Sequence, residues 1–539
     1  MALDAGIAEL RSDPDRPPLG LTLLAGAVAA AVVVPLGWLV ATALGLDPAT
    51  AIQTLRRPTT LQVVVNSAIT VTLVTALSIL VAVPLAYLTV RTNLPFSRFW
   101  TVAVSMPLVI PSYIGAFAFV SAFGPNGELQ SLLAPIGVES LPSIYGLHGT
   151  VLVLTLYTYP YVFISTRAAL LTMDERLVDA ARTLNQSRTA AFRRVTLPQV
   201  RPAITAGGLL VALYALSDFG TPAIMRYDVF TRVIFVNRFE LDFAALLSLQ
   251  LVAATLFILA VESRVRGREV QAGGGGMGRS RLRLGRWKWP ASLACGAVTA
   301  LSLVIPIGIL LLWLVRAGSN GQSVGFKLSY VVNSVAVSAG AAVLAALASL
   351  PVAYLAVRHR GRLAAVIERA TYVGYAVPGV VIGLALVFFG ARYLTPIYQT
   401  LPLLVFAYVV RFLPQAVGST RASLLQVDPA LQDAARVLGR TPGAAFREVT
   451  FPLVAPGILA GAALVFLTTM KELPATLLLR PTGFETLVVR IWRAESAGYF
   501  GAAAVPALIL VFVSALSMVV ILSQEGYDGA GVEGETDVE

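Results

Sequence analysis

Two stretches of the chain share a polar pattern that decides its organisation. Residues 179–207 read DAARTLNQSRTAAFRRVTLPQVRPAITAG, and residues 433–461 read DAARVLGRTPGAAFREVTFPLVAPGILAG. The two stretches share the pattern D-A-A-R followed by A-A-F-R-x-V-T-x-P-x-V-x-P, at one constant offset. Shared apolar composition alone does not produce a matched polar pattern, so we infer an internal duplication.

An earlier pair of segments supports the duplication. Around Asn66 the chain reads VVNSAITVTL and continues to VPLAYLTVR, which ends at Arg91. Around Asn333 it reads VVNSVAVSAG and continues to LPVAYLAVR, which ends at Arg358. The sequence therefore consists of two similar halves.

The composition places the chain in a membrane. Of its 539 residues, 57% are hydrophobic and 13% are charged, and the mean hydropathy is +0.78. Soluble domains carry about 25% charged residues, so this deficit excludes a soluble enzyme, a disordered regulator and a nucleic-acid binder. The single cysteine excludes a disulfide framework and any multi-cysteine metal site, and the two histidines, His148 and His359, are too few and too far apart in sequence to indicate a zinc or catalytic cluster. Whether the chain binds a metal is left open. We expect Cys295 to be a small buried thiol.

The apolar stretches predict an all-α integral membrane protein. A helix needs about 20 mainly apolar residues to cross the hydrocarbon core. The candidate spans are residues 19–44, 61–90, 99–123, 147–170, 200–224, 244–262, 290–315, 328–357, 366–390, 398–423, 454–478 and 502–522. These twelve helices form two six-helix repeats, and an even number of spans gives both repeats the same orientation.

Domain boundaries follow from composition. The predicted segments are a cytoplasmic tail at 1–18, a first repeat at 19–262, a linker at 263–288, a second repeat at 289–523 and an acidic tail at 524–539. The linker is rich in glycine and arginine, which predicts a flexible, solvated connection. Its basic residues are also suited to contact with anionic lipid headgroups.

Arginine placement predicts the orientation. Most basic loops fall on one side of the membrane if the spans alternate, and positively charged loops stay inside. The expected location is therefore the plasma or inner membrane, with both termini in the cytoplasm.

The duplicated loops lie between the fourth and fifth span of each half, and we call them the feet (residues 174–197 and 428–451). Asp428 followed by Pro429 predicts a helix N-cap, and Asp174 takes the same position in the first copy. Gly439 permits a turn, and Thr441 begins a second short helix. Such a loop is more ordered than a simple connection requires.

The feet resemble the EAA motif of ABC-transporter permeases, with the pattern E-A-A-x-x-x-G and a later L-P. Carried over residue by residue, aspartate replaces glutamate and asparagine replaces the first glycine, which asparagine allows because it tolerates a left-handed backbone. The predicted ATPase-coupling residues are Asp174, Asp179, Ala180, Ala181, Asn185, Pro198, Asp428, Asp433, Ala434, Ala435, Gly439 and Pro452. The departure at Asn185 predicts that the two feet are unequal.

The resemblance implies partners and a function. In that family the loop docks on a cytoplasmic ATPase, so we expect two ATPase copies, which bind ATP and Mg, and an extracytoplasmic substrate-binding protein. The fused arrangement, with SDFGT at 217–221 and KELPATL at 471–477, resembles ferric iron-type importers, whose near relatives carry thiamine or phosphonates. The chain itself is expected not to be an enzyme and to hold no cofactor.

Two acids occupy equivalent positions in the fifth span of each half. Asp218 and Glu472 predict negative charge beside a translocation path, since an ionisable side chain in a membrane usually faces an interior cavity. A structural role is the alternative, because Lys471 adjoins Glu472 and suggests a local ion pair. Asn66 and Asn333 are a second matched pair, either in the path or in interhelical hydrogen bonds. Pro222 and Pro474 predict broken helices near the acids.

The chain lacks the phosphate-binding pattern G-x-x-x-x-G-K-[ST], so any energy from ATP must come through a partner. A gradient-driven secondary carrier with two parallel repeats remains the rival. That rival predicts no ATPase partner and gives no reason for paired feet.

Overall fold

A computed structural model describes residues 17–124, 127, 129–130, 134–137, 142–174, 176–266, 282–319, 325–359 and 361–530. Most of the predicted N-terminal tail, residues 267–281 of the linker and the last residues of the acidic tail lie outside the described residues. Within the described residues the chain is helical, apart from an isolated bridge between Thr92 and Leu282.

The helices run in two matching series. The first series is α1 Leu19–Leu44, α2 Pro48–Leu55, α3 Pro58–Arg91, α4 Ser97–Ser105, α5 Ser112–Phe123, α6 Leu147–Thr172, α7 Arg176–Thr183, α8 Arg188–Ala191, α9 Leu197–Ser217, α10 Gly220–Ile224, α11 Phe230–Val236 and α12 Leu241–Arg266. The second series is α13 Lys288–Thr299, α14 Ile305–Ser319, α15 Leu328–Arg358, α16 Arg362–Ala376, α17 Gly379–Tyr393, α18 Leu401–Gln426, α19 Pro429–Val437, α20 Pro442–Ala445, α21 Phe451–Met470, α22 Pro474–Leu479, α23 Leu487–Ser496 and α24 Phe500–Ala530. From α3 and α15 onward, the two series correspond helix by helix.

The all-α membrane architecture is confirmed, with a correction to two spans. In the described part of the chain, nine helices are long and apolar enough to cross a membrane, and two bent pairs bring the number to eleven. The helix that begins at Phe500 adds a shorter apolar segment. The spans predicted at 99–123 and 366–390 are not continuous, because the chain turns by 91° between α4 and α5 and by 104° between α16 and α17.

A proline causes each of these bends. Ile110 and Val377 precede Pro111 and Pro378, and both have extended backbones, with ψ of 125°. The ring of a proline clashes with a helical conformation of the preceding residue, so the helix stops there and a new one starts in another direction. The residues on either side are apolar, which is why the sequence alone predicted one span.

The chain packs into two compact units, Met1–Gly45 with Leu328–Val489, and Leu46–Lys327 with Arg490–Glu539. In the first unit α1, which begins the first series, packs on α15, α16 and α17. Trp38 stacks there on Phe388, with ring centroids 6.3 Å apart. The first helix of the chain thus belongs, by packing, with helices of the second series.

The second unit contains the reverse exchange. Helices α13 and α14 begin the second series but pack on α4, α5 and α24. Cys295 of α13 is fully buried in a core that also contains Tyr159 and Phe163, so the predicted buried thiol is confirmed. Trp313 of α14 lies against Phe500, with ring centroids 5.4 Å apart. The packing boundary therefore differs from the boundary of the duplication.

Within each unit one helix is central. In α6, 72% of the most apolar window is buried, compared with 28% in α3 and 17% in the segment Gly285–Arg316. The corresponding helix α18 has 56% of its window buried. Helices α6 and α18 are surrounded by protein, whereas the other two segments leave most of their apolar surface for lipid.

Candidate functional site

The two feet begin with the same cap. The Asp428 carboxylate accepts a hydrogen bond from the backbone N–H of Ala430 at 2.9 Å, with Pro429 in the first turn of α19. The Asp174 carboxylate accepts one from the backbone N–H of Arg176 at 2.9 Å. Each cap satisfies a backbone donor that a helix N-terminus leaves unpaired. The predicted cap at Asp428 and its counterpart are confirmed.

Both feet then turn through a left-handed residue. Gly439 has a φ of 88° and Asn185 a φ of 56°. The backbone N–H of Arg440 donates to Ala435 at 3.1 Å, and that of Gln186 donates to Ala181 at 3.2 Å. Asparagine is one of the few residues besides glycine that adopts this conformation readily, so the substitution at 185 preserves the turn.

A second capped helix and a widened turn complete each foot. Thr441 Oγ1 accepts from the backbone N–H of Ala444 at 3.3 Å, and Ser187 Oγ accepts from that of Ala190 at 3.2 Å. A π-helical turn follows, at Phe192–Thr196 and Phe446–Thr450. Pro198 and Pro452 then lie in the first turns of α9 and α21, where a missing N–H costs nothing.

An aromatic contact ties each foot to a long membrane helix. Phe192 meets Tyr87 of α3 edge-on, with ring centroids 5.3 Å apart. Phe446 meets Tyr354 of α15 in the same way, also at 5.3 Å. The matched segments contained both tyrosines and both phenylalanines, but nothing in the sequence paired them. Each foot is thus in direct contact with the end of a long membrane helix.

The feet differ in their side chains and not in their turn. Gln432 Nε2 donates to the Tyr354 hydroxyl at 3.0 Å, whereas the equivalent position in the first foot is Val178, which has no polar atom. Arg440 also pairs with Glu448 at 3.1 Å. The second foot has these extra links, while the turn at Asn185, which suggested the inequality, is preserved.

Each foot exposes an apolar and acidic surface. Leu184 is 77% exposed and its counterpart Leu438 is 83% exposed. Asp179, Ala180, Asp433 and Ala434 are exposed as well, whereas Ala435 is buried and Ala181 is half-buried. Each foot contains two of the four predicted coupling alanines. In each copy the first alanine faces outward and the second is at least partly buried within the foot. Ordered, exposed leucines beside small residues suit a docking surface for a second protein.

The membrane helix that follows each foot breaks at the predicted acid. Helix α9 ends at Ser217, and Asp218 has an extended backbone before the short helix α10. Helix α21 ends at Met470, and α22 starts at Pro474. The predicted broken helices are confirmed, and the acids lie in the breaks. Unwound backbone at membrane depth is tolerated only where protein or a cavity surrounds it.

Asp218 caps the short helix after its break. Its carboxylate accepts from the backbone N–H of Thr221 at 2.9 Å and from the Ser112 hydroxyl at 2.6 Å. Tyr214 donates its own hydroxyl to Ser112 at 3.2 Å. The Thr231 hydroxyl donates to the Asp218 carbonyl at 2.7 Å. The acid thus connects α5, α9, α10 and α11 in the first series.

Glu472 caps its short helix in the same way but has a different partner. It accepts from the backbone N–H of Ala475 at 3.2 Å and from Arg411 Nη1 at 2.5 Å. Glu472 therefore forms an ion pair with Arg411 of α18, whereas the sequence suggested a pair with the adjacent Lys471. The first series has Tyr157 where Arg411 lies, so repeat comparison gave no signal for this arginine.

Asn66 and Asn333 fix the loops at the other end of the helices from the feet, which we call the far loops (residues 226–242 and 480–499). The Asn66 amide donates to the Asp228 carbonyl at 2.9 Å, and the Asn333 amide donates to the Glu485 carbonyl at 2.9 Å. These bonds join a helix to a loop, whereas the sequence suggested bonds between helices. Their place in a translocation path stays a prediction.

The serine after each asparagine completes the attachment, a role that the sequence did not reveal. Ser67 Oγ accepts from the backbone N–H of Phe230 at 3.1 Å, and Ser334 Oγ accepts from that of Leu487 at 2.8 Å. The repeated Asn-Ser dipeptide thus holds the first turns of α11 and α23 in the same register.

The surroundings of Glu495 in the second far loop shift the pKa of its carboxyl group. Burial raises the pKa of Glu495, while the Ser496 hydroxyl and the Arg226 guanidinium act in the opposite direction. Arg226 also lies over the Tyr145 ring, 4.7 Å from its centroid. In the described part of the chain, no group of three or more His, Cys, Asp or Glu side chains is arranged to hold a metal ion.

Two repeats that each combine an ordered foot, a broken membrane helix and a fixed far loop define a multi-pass membrane permease. The model of the family described as binding-protein-dependent transport system inner membrane component matches residues 75–262 and again residues 345–525. The chain belongs to this family, and the two matches confirm the duplication. Family membership implies an ATPase and a substrate-binding protein as partners.

Curated relatives agree with this assignment. The Fe(3+)-transport system permease protein FbpB 2 of Haemophilus influenzae is 32% identical over 93% of this chain and 98% of its own length. A ferric transport system permease protein FbpB of Actinobacillus pleuropneumoniae is 24% identical over 76% of this chain and 63% of its own. A probable molybdenum ABC transporter permease protein of Haloferax volcanii is 31% identical, but over 39% of this chain and 74% of its own.

Proposed function

We propose that this chain is the translocation subunit of an ATP-driven importer of ferric iron, with both halves of the permease fused in one polypeptide. The observation that carries the ATP-driven part is the pair of feet, which share a cap, a left-handed turn, a second cap and an aromatic tie to a membrane helix. Two docking surfaces that share the same structural features are suited to two copies of the same ATPase.

In the proposed mechanism, the partner subunits bind and hydrolyse ATP. Two ATPase subunits, with bound ATP and Mg, would each hold one foot through the exposed leucines and the adjacent acid. Their closure would displace the feet, and the Tyr87–Phe192 and Tyr354–Phe446 contacts would pass that displacement to α3 and α15. The chain supplies the path and performs no hydrolysis of its own.

The proposed orientation puts the feet and both termini in the cytoplasm, in the plasma or inner membrane. Its support is the concentration of arginine in the loops on the foot side. The far loops then face outward, where a substrate-binding protein would deliver its cargo.

Iron is favoured because the relative that matches nearly the whole chain is named for Fe(3+) transport. The relative named for molybdenum matches a much smaller share of this chain. Thiamine and phosphonates remain alternative cargoes, and a gradient-driven carrier remains the alternative mechanism.

Uptake into vesicles tests the proposal. The chain, its ATPase and its binding protein are reconstituted, and entry of radiolabelled ferric iron is measured with and without ATP, beside molybdate, thiamine and a phosphonate. Iron entry that requires ATP is expected. ATP-dependent entry of another cargo would overturn the assignment of iron as the cargo but would support an ATP-driven importer. Uptake driven by an ion gradient without ATP would overturn the importer.

A further inference from the structure

The last residues of the linker are bound to the connection between α3 and α4. Leu282 forms the parallel bridge with Thr92. Its backbone N–H donates to the Arg91 carbonyl at 2.8 Å, and its carbonyl accepts from the N–H of Asn93 at 3.0 Å. The N–H of Leu284 donates to the side-chain oxygen of Asn93 at 2.8 Å. This end of the linker is therefore fixed to the end of α3, although the sequence predicted a flexible connection throughout.

The same end of α3 contacts the first foot. Tyr87, near the end of α3, lies edge-on against Phe192 of that foot. Leu284 of the linker and Val178 of the foot pack against one hydrophobic core, which also contains Leu94 of the α3–α4 connection. All of these residues belong to the second compact unit. The bound end of the linker therefore lies on the foot side of this unit.

Cations and aromatic rings are exposed on the two segments that meet here. Residues 91–100 and 282–290 contain no acidic residue, and they lie side by side because α13 packs on α4. Four cations on these segments are exposed, and four aromatic rings are each at least 61% exposed. We call this surface the basic–aromatic patch, and it consists of Arg98, Arg283, Arg286, Lys288, Phe96, Phe99, Trp287 and Trp289.

The place of the patch in the chain indicates what it meets. The segment Gly285–Arg316 is long and apolar enough to cross a membrane, so the patch is where this span enters the hydrocarbon. Exposed rings bury their apolar bodies at this boundary, and basic groups beside it are attracted to anionic headgroups. A soluble acidic partner would pair with the cations and leave the rings in water. A negatively charged bilayer surface satisfies both kinds of side chain.

The second repeat differs at the corresponding positions. In the register of the duplication, Phe96 and Phe99 correspond to the aliphatic residues Leu363 and Val366, and an alanine takes the position of Arg98. Leu363 and Val366 are exposed as well, at 55% and 62%. The rings at these positions therefore belong to the repeat that binds the linker and are not part of the shared construction.

We propose that the basic–aromatic patch binds the headgroups of anionic phospholipids in the leaflet on the foot side. The sequence allowed such contact for any basic residue of the linker. The patch restricts it to the ordered end of the linker beside the first foot, and adds Arg98 and the rings of α4. The inference depends on the membrane location of the chain and goes beyond the proposed transport, since it needs neither ATP nor a cargo.

Lipid retention tests the cations of the patch. The full chain is purified in detergent and incubated with equal amounts of phosphatidylglycerol and phosphatidylcholine, and the lipids that remain after size exclusion are quantified by mass spectrometry. We expect at least five times more phosphatidylglycerol than phosphatidylcholine. Its retention should fall at least fivefold when the linker cations are neutralised in Arg283→Gln/Arg286→Gln/Lys288→Gln. The matched control removes three exposed arginines of the first foot and should retain the lipid normally: Arg176→Gln/Arg182→Gln/Arg193→Gln.

Removal of rings tests the apolar part of the patch. Phe96→Ala/Phe99→Ala keeps every cation and should lower phosphatidylglycerol retention at least threefold. Leu363→Ala/Val366→Ala removes exposed apolar side chains from the corresponding positions of the second repeat and should leave retention unchanged. Each substitution is at an exposed side chain, so the variants remain folded.

The outcomes separate a lipid site from other interpretations. Loss of phosphatidylglycerol from the cation and ring variants, with both controls unchanged, supports the proposal. Equal retention of the two lipids by the unmodified chain, or unchanged retention by the cation variant, overturns it. Release of the lipid by excess inorganic phosphate at constant ionic strength would assign a free anion to the patch and overturn it as well. Because the assay contains no ATPase and no cargo, a failure of iron uptake does not affect this result.

Discussion

Arg411 and Glu472 form an ion pair in the second repeat, with Arg411 Nη1 2.5 Å from Glu472 Oε1. The Glu472 side chain is 6% exposed and that of Arg411 is 20% exposed, so water screens the two charges weakly. The pair also fixes the break between α21 and α22, because the same carboxylate oxygen accepts the N–H of Ala475. In the first repeat, hydroxyl groups support the equivalent acid.

Removal of one partner is expected to destabilise the fold strongly. Glu472→Gln leaves the Arg411 guanidinium buried without its counter-ion, which costs about 3–5 kcal/mol. The double variant Arg411→Met/Glu472→Met removes both charges and should recover most of that loss. Thermal unfolding in detergent measures both. A double variant as unstable as the single one would show that the pair is not the source of the effect.

A methyl group at position 379 should disrupt the same pair. A Cβ on Gly379 would lie 1.6 Å from Arg411 Nη1 and 2.4 Å from Glu472 Oε1, so the pair would have to separate. Gly379→Ala is expected to cost about 1–3 kcal/mol of stability, as overpacking does. Gly340→Ala is the matched control, since its nearest neighbour would be 3.8 Å away. Equal melting temperatures for the two variants would contradict the prediction.

The turns of the feet should respond differently to substitution. Gly439→Val places a branched residue at a φ of 88° and should cost about 1–3 kcal/mol, whereas Asn185→Gly at a φ of 56° should cost little. Limited proteolysis of each foot measures local order. Rapid cleavage near 439 in the first variant and unchanged cleavage near 185 in the second are expected. The reverse order would show that the turn does not hold the foot.

Charge reversal on a foot should weaken ATPase docking while the membrane part remains folded. Asp433 has a 69% exposed side chain and lies 3.6 Å from Arg436, so Asp433→Arg both reverses the surface charge and repels a neighbour. Co-purification of the ATPase should fall at least tenfold. Asp242→Arg changes an exposed acid in the far loop and should bind normally. Undiminished co-purification with Asp433→Arg would remove this residue from the docking surface.

The serines that hold the far loops should contribute equally in both repeats. Ser67→Ala and Ser334→Ala each leave a buried N–H, that of Phe230 or Leu487, without its acceptor, at a cost of about 1–3 kcal/mol. Ser338→Ala is the control, because the buried Ser338 hydroxyl makes no hydrogen bond within the described residues. If all three variants melt alike, the serines do not fix the loops.

The first caps of the feet, their left-handed turns and the second helix start at Thr441 were predictable to the residue, and the reason is local. A cap, a left-handed turn and a second cap each depend on a few neighbouring residues, such as Asp428, Gly439 and Thr441, whose side chains act on their own backbone. The predicted helix breaks at Asp218 and Glu472 follow from nearby proline and glycine in the same way. The kinks at Pro111 and Pro378 were missed because a proline in an apolar run is also compatible with one continuous span.

The sequence by itself determined the membrane location, the duplication, the family and the first caps and turns of the feet, since these depend on composition, periodicity and short-range hydrogen bonds. Only the tertiary structure decided that Glu472 pairs with Arg411 of another helix, that α1 packs on the helices of the second series, and that Phe446 lies edge-on against Tyr354. Those contacts join residues far apart along the chain, and a hydrophobic span presents many equally apolar surfaces. Which surfaces meet is fixed by the packing of all the helices together.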